Sequence, residues 1–281
     1  MVGNHRASAV PGKELPQGVT IPVLGLGTWE LTGGECRKVV EAALEMGYRH
    51  IDTAQVYENE EEVGRALASA GVSRNQIFLT SKIFRDHLQG SDVRSACLRS
   101  LERLGTDFLD LCLVHWPNRS IPMAETLEAL EALREAGQIR AWGVSNFTAG
   151  HLREALQVGR PATNQVELHP YFQQRELESA CRELGVPLTA YSPLARGRAV
   201  REPALAELGR VHGKSPAQVA LRWLVQRDCV VIPKASAPER LRENLELFAF
   251  QLSDTEMERI ARLDTGKRLL HPSWAEFDRE E

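Results

Sequence analysis

From Val23 onward the chain alternates between short apolar runs and longer stretches with apolar residues three and four apart. The runs are VLGLGT (residues 23–28), HIDTA (50–54), IFLTSKI (77–83), FLDLCLVH (108–115), IRAWGVSN (139–146), TNQVEL (163–168), PLTAYSP (187–193) and CVVIPK (229–234). Each is short and rich in β-branched or aliphatic residues, which predicts strands buried on both faces. The intervening segments carry the helical period. Leu127, Leu130 and Leu133 show it on the fourth, and Val219, Leu221, Trp223 and Leu224 on the seventh. Gly47, Gly71, Gly105, Gly137 and Gly185 follow helical segments, where a left-handed C-cap favours glycine.

A strand-and-helix repeat predicts a parallel sheet covered by helices, and eight units favour a closed (β/α)8 TIM barrel over an open, doubly wound sheet. The open sheet also lacks its dinucleotide fingerprint, since Gly25-Leu26-Gly27-Thr28-Trp29-Glu30 has no third glycine. Ahead of the first strand, Glu14 to Ile21 reads as a hairpin turning at Pro16 to Gly18, lying as a lid over one end of the barrel. Residues 1–12 are small, polar and punctuated by Pro and Gly, and read as a disordered extension to one barrel domain spanning residues 13–281. A C-terminal tail follows Leu263.

Composition narrows the function classes. The 281 residues suit one α/β barrel, and 43% hydrophobic with 26% charged residues is ordinary for a soluble globular protein. A net charge of −4 and a pI near 6.1 provide no field to gather a polyanion, so no nucleic-acid partner is expected. There is no apolar run long enough for a signal peptide or a membrane span, which points to the cytoplasm and to no membrane partner. Five cysteines, odd in number and without metal-ligand spacing, read as buried thiols in a reducing compartment.

Chemistry collects at the ends of the runs. Asp52 and Tyr57 lie in GYRHIDTAQVYENEEEVG (residues 47–64), Lys82 in LTSKI and His115 in LDLCLVHWPN; Asn146, Glu167 and Lys234 also stand at or near run ends. Taken singly, Tyr57 is a loop aromatic, Lys82 a surface charge and His115 a structural histidine. Together they suit carbonyl reduction, in which the oxygen must gain a proton. A tyrosine holds its proton at neutral pH, and a nearby ammonium makes its phenolate easier to form.

This constellation resembles the aldo-keto reductase family over nearly the whole chain, from about Glu14 to Leu263. The resemblance implies Tyr57 as proton donor, Lys82 and Asp52 tuning it, and His115 orienting the carbonyl of a small-molecule substrate. It implies a nicotinamide carboxamide held by Ser145, Asn146 and Gln165, a ring stacked on Tyr191, and pyrophosphate contacts from Ser192 and Leu194. In VIPKASAPERLREN (residues 231–244), Lys234, Ser236 and Arg240 would hold the 2′-phosphate of NADPH, with Glu243 and Asn244 at the adenine. Ala235 and Ala237 stand where relatives often carry hydroxyls, which puts the strength of the NADP preference in question. Trp29, Phe84 and Trp116 are expected to wall the substrate pocket, and the short WPNRSIP connection (residues 116–122) to leave it wide. The tail, with Trp274, Arg268 and His271, is not assigned to pocket or solvent.

The implied protein is therefore an NADPH-dependent reductase of aldehydes and ketones, working as a monomer. Two other readings use the same sequence. A cofactor-binding sensor on this fold would not need Tyr57. A metal-dependent barrel enzyme would need more His, Asp and Glu at strand ends than Asp52, His115 and Glu167 supply.

Overall fold

A computed structural model describes residues 10–277. Within it the hairpin forms as expected: β1 (Gly12–Leu15) pairs antiparallel with β2 (Val19–Pro22) across a 3-10 turn at Pro16–Gly18. Of the expected extension, residues 1–9 lie outside the described residues. The rest of it joins the hairpin, with Pro11 accepting a hydrogen bond from Val23 N–H and Gly12 opening β1.

Eight further strands follow: β3 (Leu26–Gly27), β4 (His50–Asp52), β5 (Phe78–Ile83), β6 (Leu109–Val114), β7 (Ile139–Ser145), β8 (Asn164–Glu167), β9 (Leu188–Tyr191) and β10 (Val230–Val231). They pair in parallel in chain order. The parallel bridge Leu24 to Val231 then joins the last strand to the first, with Gly25 N–H donating to Val231 O and Val231 N–H to Val23 O, each at 2.9 Å. This closes the (β/α)8 barrel. At the seam, a Cβ on Gly27 would lie 2.7 Å from Ile232 O, so the second glycine of GLG is explained by backbone approach.

Helices alternate with the strands: α1 (Gly33–Met46), α2 (Glu60–Ser69), α3 (Gly90–Leu104), α4 (Met123–Glu135), α5 (Ala149–Ala155), α6 (Arg175–Leu184), then α7 (Pro203–His212) and α8 (Pro216–Gln226) in one crossover. The pair α9 (Pro238–Leu245) and α10 (Asp254–Ala261) follows β10. The five glycines read as helix stops all have positive φ. At Gly105 and Gly185 the cap N–H turns back onto carbonyls of the last turn, satisfying groups a helix end leaves open.

Period-two alternation explains where the site falls. Phe78, Thr80 and Lys82 share one face of β5, as Leu111, Leu113 and His115 do along β6. At the N-terminal end these faces are apolar: Phe78, Leu111, Leu113, Ala141, Ala162 and Val230 pack with Leu15 and Ile21 of the hairpin. Gln17 fastens this lid, accepting from Trp142 N–H and donating to the carbonyls of Trp142 and Arg160. At the C-terminal end the same faces become Asp52, Lys82, His115, Ser145, Gln165 and Tyr191. The opposite strand faces, Leu79, Val114, Trp142 and Val144 among them, meet Leu127, Leu130, Leu133, Val219 and Leu224 in the helix-covered core. All five cysteines are buried and free.

Candidate active site

The centre is a buried ion pair. Lys82 Nζ lies 2.5 Å from Asp52 Oδ1, 2.8 Å from Thr53 O and 3.3 Å from the Tyr57 hydroxyl. Both charged side chains are at most 2% exposed. A pair so deep persists only if its remaining hydrogen-bonding sites are filled, and Gln165 Nε2 donates to the second Asp52 oxygen at 2.7 Å. Burial works against the Lys82 charge, but Asp52 and then Tyr57 outweigh it, so the ammonium pKa is raised.

Tyr57 does not end a strand. It sits on the 3-10 turn Gln55–Tyr57, beyond β4, with its ring held edge-on to His115 at 5.7 Å between centroids. Burial raises its hydroxyl pKa and Lys82 opposes that rise. The net direction is therefore upward, and what Lys82 supplies is a partial offset to burial. For His115, burial and then the Lys82 charge both press the imidazole well below its usual range, keeping it neutral. Its Nδ1 is buried with no hydrogen-bond partner among the described residues.

These side chains open onto a cavity of about 270 Å³. Tyr57, His115 and Asp52 line it, with Ser145, Asn146, Gln165, Tyr191, Ser192 and Lys234 on other sides. Asn146 is fixed from two directions: its Nδ2 donates to His115 O at 3.0 Å, and its Oδ1 accepts from the Tyr191 hydroxyl at 2.8 Å. Ser145 Oγ donates to Gln165 O at 2.7 Å. Trp29, Phe84 and Trp116 also line the cavity.

Other expected residues do not reach it. Leu194 packs against the apolar core instead. Ser236, Arg240, Glu243 and Asn244 are absent from the cavity wall and lie on the loop after β10 and on α9. There Arg240 Nη1 is 2.9 Å from Glu243 Oε2, and Ser215 Oγ donates to the other Glu243 oxygen. Asn244 is buried near Tyr48, and Ser236 is exposed. Lys234 also has a carboxylate neighbour, with Nζ 3.4 Å from Glu30 Oε2.

Sequence reasoning missed several wall residues. Arg196 lines the cavity with its guanidinium 4.8 Å from the Trp29 ring centroid; the basic RGR after AYSPL was the available signal. Val56, Ile232, Leu270 and Pro272 carry no such signal. The wide mouth expected from the short loop needs correction, because Trp274 of the tail enters the wall. Its ring meets Trp116 at 5.0 Å and Phe84 at 5.9 Å, both edge-on, and Arg85 lies over it at 4.8 Å. Glu167 does not face the cavity. It accepts from the backbone N–H groups of Leu269 (2.7 Å) and Leu270 (2.9 Å), holding the start of the tail, and its carboxylate also meets His169. Among the described residues, no three His, Cys, Asp or Glu side chains group as a metal site, and no helix is long and apolar enough to cross a membrane.

A closed barrel carrying a buried Tyr-Lys-Asp chain and a neutral histidine at its C-terminal face places the chain among the oxidoreductases. The chain belongs to the aldo/keto reductase family, whose model matches residues 23–265. It is 44% identical to an aldo-keto reductase of Mycolicibacterium smegmatis over 92% of this chain and 95% of that protein. It is 42% identical to the glyoxal reductase of Bacillus subtilis over 91% and 94%. The crystal structure of Bombyx mori aldo-keto reductase in complex with NADP superposes with a TM-score of 0.87 at 35% identity, covering 94% of this chain and 95% of that one.

Proposed function

We propose that this protein is an NADPH-dependent reductase of aldehydes and ketones, a single-domain monomer acting on bulky apolar carbonyl compounds. The observation that carries the reading is the Tyr57 hydroxyl, 3.3 Å from a buried Lys82 that is itself paired to Asp52, on the wall of the cavity. A pure binding protein would gain nothing from burying that pair, since two charges taken out of water are expensive.

The cavity fits a nicotinamide. Tyr191 offers a ring face held by its bond to Asn146, and Ser145, Asn146 and Gln165 bring amide and hydroxyl groups to one side, as a carboxamide requires. When bound, the dihydronicotinamide supplies the hydride to the carbonyl carbon. The substrate oxygen accepts hydrogen bonds from the neutral His115 and from Tyr57, and Tyr57 passes its proton to that oxygen as the alcohol forms. Lys82 stabilises the resulting phenolate through its charge, with Asp52 and Thr53 holding the ammonium in place and Gln165 holding Asp52. Phe84, Trp116 and Trp274 put apolar rings beside the site, and apolar surroundings strengthen these electrostatic effects.

For the cofactor, Lys234 and Arg240 support NADPH over NADH, and their pairing with Glu30 and Glu243 moderates the preference. Arg240→Ala is expected to weaken NADPH binding by about tenfold and NADH by less than about twofold, because only NADPH carries the phosphate that a charge-assisted fork would hold. Fluorescence titration with both cofactors measures this. Equal losses would place Arg240 on a group common to the two.

The reading is tested by NADPH oxidation against a panel of carbonyl compounds. Benzaldehyde buries roughly 80 Å² more apolar surface than propanal, worth about 2 kcal/mol or ~30-fold in kcat/KM. The gain should fall mostly on KM, as uniform binding requires. Turnover of no carbonyl would reject the enzyme. Preference for small charged carbonyls would reject the apolar pocket and favour a role for Arg196 in binding them.

A further inference from the structure

The end of the tail is tied to the barrel by a buried carboxylate. Glu276 is 7% exposed and His151, at the start of α5, is fully buried. A carboxylate is seldom taken out of water unless its oxygens are bonded, and here both are. Oε1 accepts from Arg119 N–H at 3.0 Å, and Oε2 lies 3.2 Å from His151 Nε2 and 3.5 Å from Arg119 Nε.

The orientation of the His151 ring is set by the helix cap. Nδ1 faces the Thr148 backbone N–H at 3.2 Å, closing a capping box in which Thr148 Oγ1 accepts from His151 N–H. Burial holds the imidazole below its ordinary range against the pull of Glu276, so it carries one ring proton. Nε2 faces the tail, 3.2 Å from Glu276 Oε2, and accepts from Arg119 Nε–H at 3.2 Å, so the ring, the guanidinium and the carboxylate form one cluster. The helix cap thereby holds the ring against the tail carboxylate.

Two anchors then bracket the segment that crosses the cavity. Glu167 holds Leu269 and Leu270, while His151 and Arg119 hold Glu276. Between them stand Pro272 and Trp274, both on the cavity wall. Trp274 is only two residues from Glu276, and its rotation is checked by Phe84 and Trp116.

We propose that the His151–Glu276 contact is a latch that seats Trp274 against Phe84 and Trp116, making Glu276 and His151 positioning residues for the selection of bulky carbonyl substrates. The inference rests on the reading of this cavity as a carbonyl-reductase pocket. Glu276→Ala releases the second anchor while Glu167 keeps the first, so the wall loosens without detaching the tail.

The experiment compares the parent, Glu276→Ala, Glu276→Gln, Trp274→Ala and the Glu276→Ala/Trp274→Ala double variant. In Glu276→Ala, KM for benzaldehyde should rise about tenfold while kcat and the kcat/KM for propanal stay within about twofold, the pattern of lost uniform binding. Glu276→Gln keeps an acceptor and should return to within about threefold of the parent. The double variant should be no worse than Trp274→Ala alone, because the latch acts through that ring. Brief chymotrypsin treatment read by mass spectrometry supplies a measurement independent of turnover, with faster cutting after Trp274 in Glu276→Ala than in the parent. Parent-like KM in Glu276→Ala, or additive effects in the double variant, overturns the latch. If the parent reduces no carbonyl, the reductase reading fails, and the cutting rate alone decides the latch: an unchanged rate rejects it.

Discussion

Tyr57→Phe is expected to lower carbonyl reduction by about 10²–10⁴-fold, the range a positioned general acid supplies, while NADPH affinity stays within about twofold of the parent. The ring would remain where it is, edge-on to His115 and beside the Lys82 ammonium. Only the hydroxyl, 3.3 Å from Lys82 Nζ, is lost. Packing changes little, so the effect should fall on kcat. Single-turnover reduction with saturating NADPH isolates the chemical step, and activity within a fewfold of the parent would remove Tyr57 as proton donor.

Lys82→Met should act twice. On the proposed mechanism it removes the cation that stabilises the Tyr57 phenolate, and it leaves Asp52 as a buried carboxylate with Gln165 as its remaining side-chain partner. Breaking a buried pair from one side typically costs about 3–5 kcal/mol of stability, measurable as a lower urea midpoint at unchanged slope. Activity should also fall, and its pH dependence has a definite sign. Burial raises the Tyr57 pKa and Lys82 opposes it, so removing Lys82 raises it further. In the alcohol-oxidising direction, where the phenolate is the competent form, the rise of activity with pH should move to higher pH. The double variant Asp52→Asn/Lys82→Met separates the two effects: stability should largely return, because neither charge is left unpaired, while activity should not. An unaltered pH profile in Lys82→Met would show that Lys82 does not tune Tyr57.

These expectations draw on residues that were visible in the sequence to different degrees. Asp52, Lys82 and His115 were legible because a strand places alternate residues on one face, and the last inward position of a barrel strand faces the site. Tyr57 was legible through its long surrounding motif, although its seat on a 3-10 turn was not. Asn146 could be marked at a strand end, whereas Ser145, Gln165 and Tyr191 became candidates only through the family resemblance. Their actual bonds, Gln165 to Asp52 and Tyr191 to Asn146, could not be read.

The linear pattern by itself determined the repeat of strand and helix, the glycine stops and the hairpin lid, because each depends on the conformational preferences of a few adjacent residues. It also determined the family resemblance. Tertiary structure alone decided which distant residues meet once the barrel closes. Asp52 and Gln165 are 113 positions apart, and His151 and Glu276 are 125 apart. No local propensity couples such pairs; their contact depends on strand register and on the path of every intervening crossover. For the same reason the sequence left the tail, with Trp274, unassigned between pocket and solvent. Its seat depends on Glu167 and His151, which its own neighbours do not specify, and on an aromatic wall that exists only after Phe84 and Trp116 have been brought together.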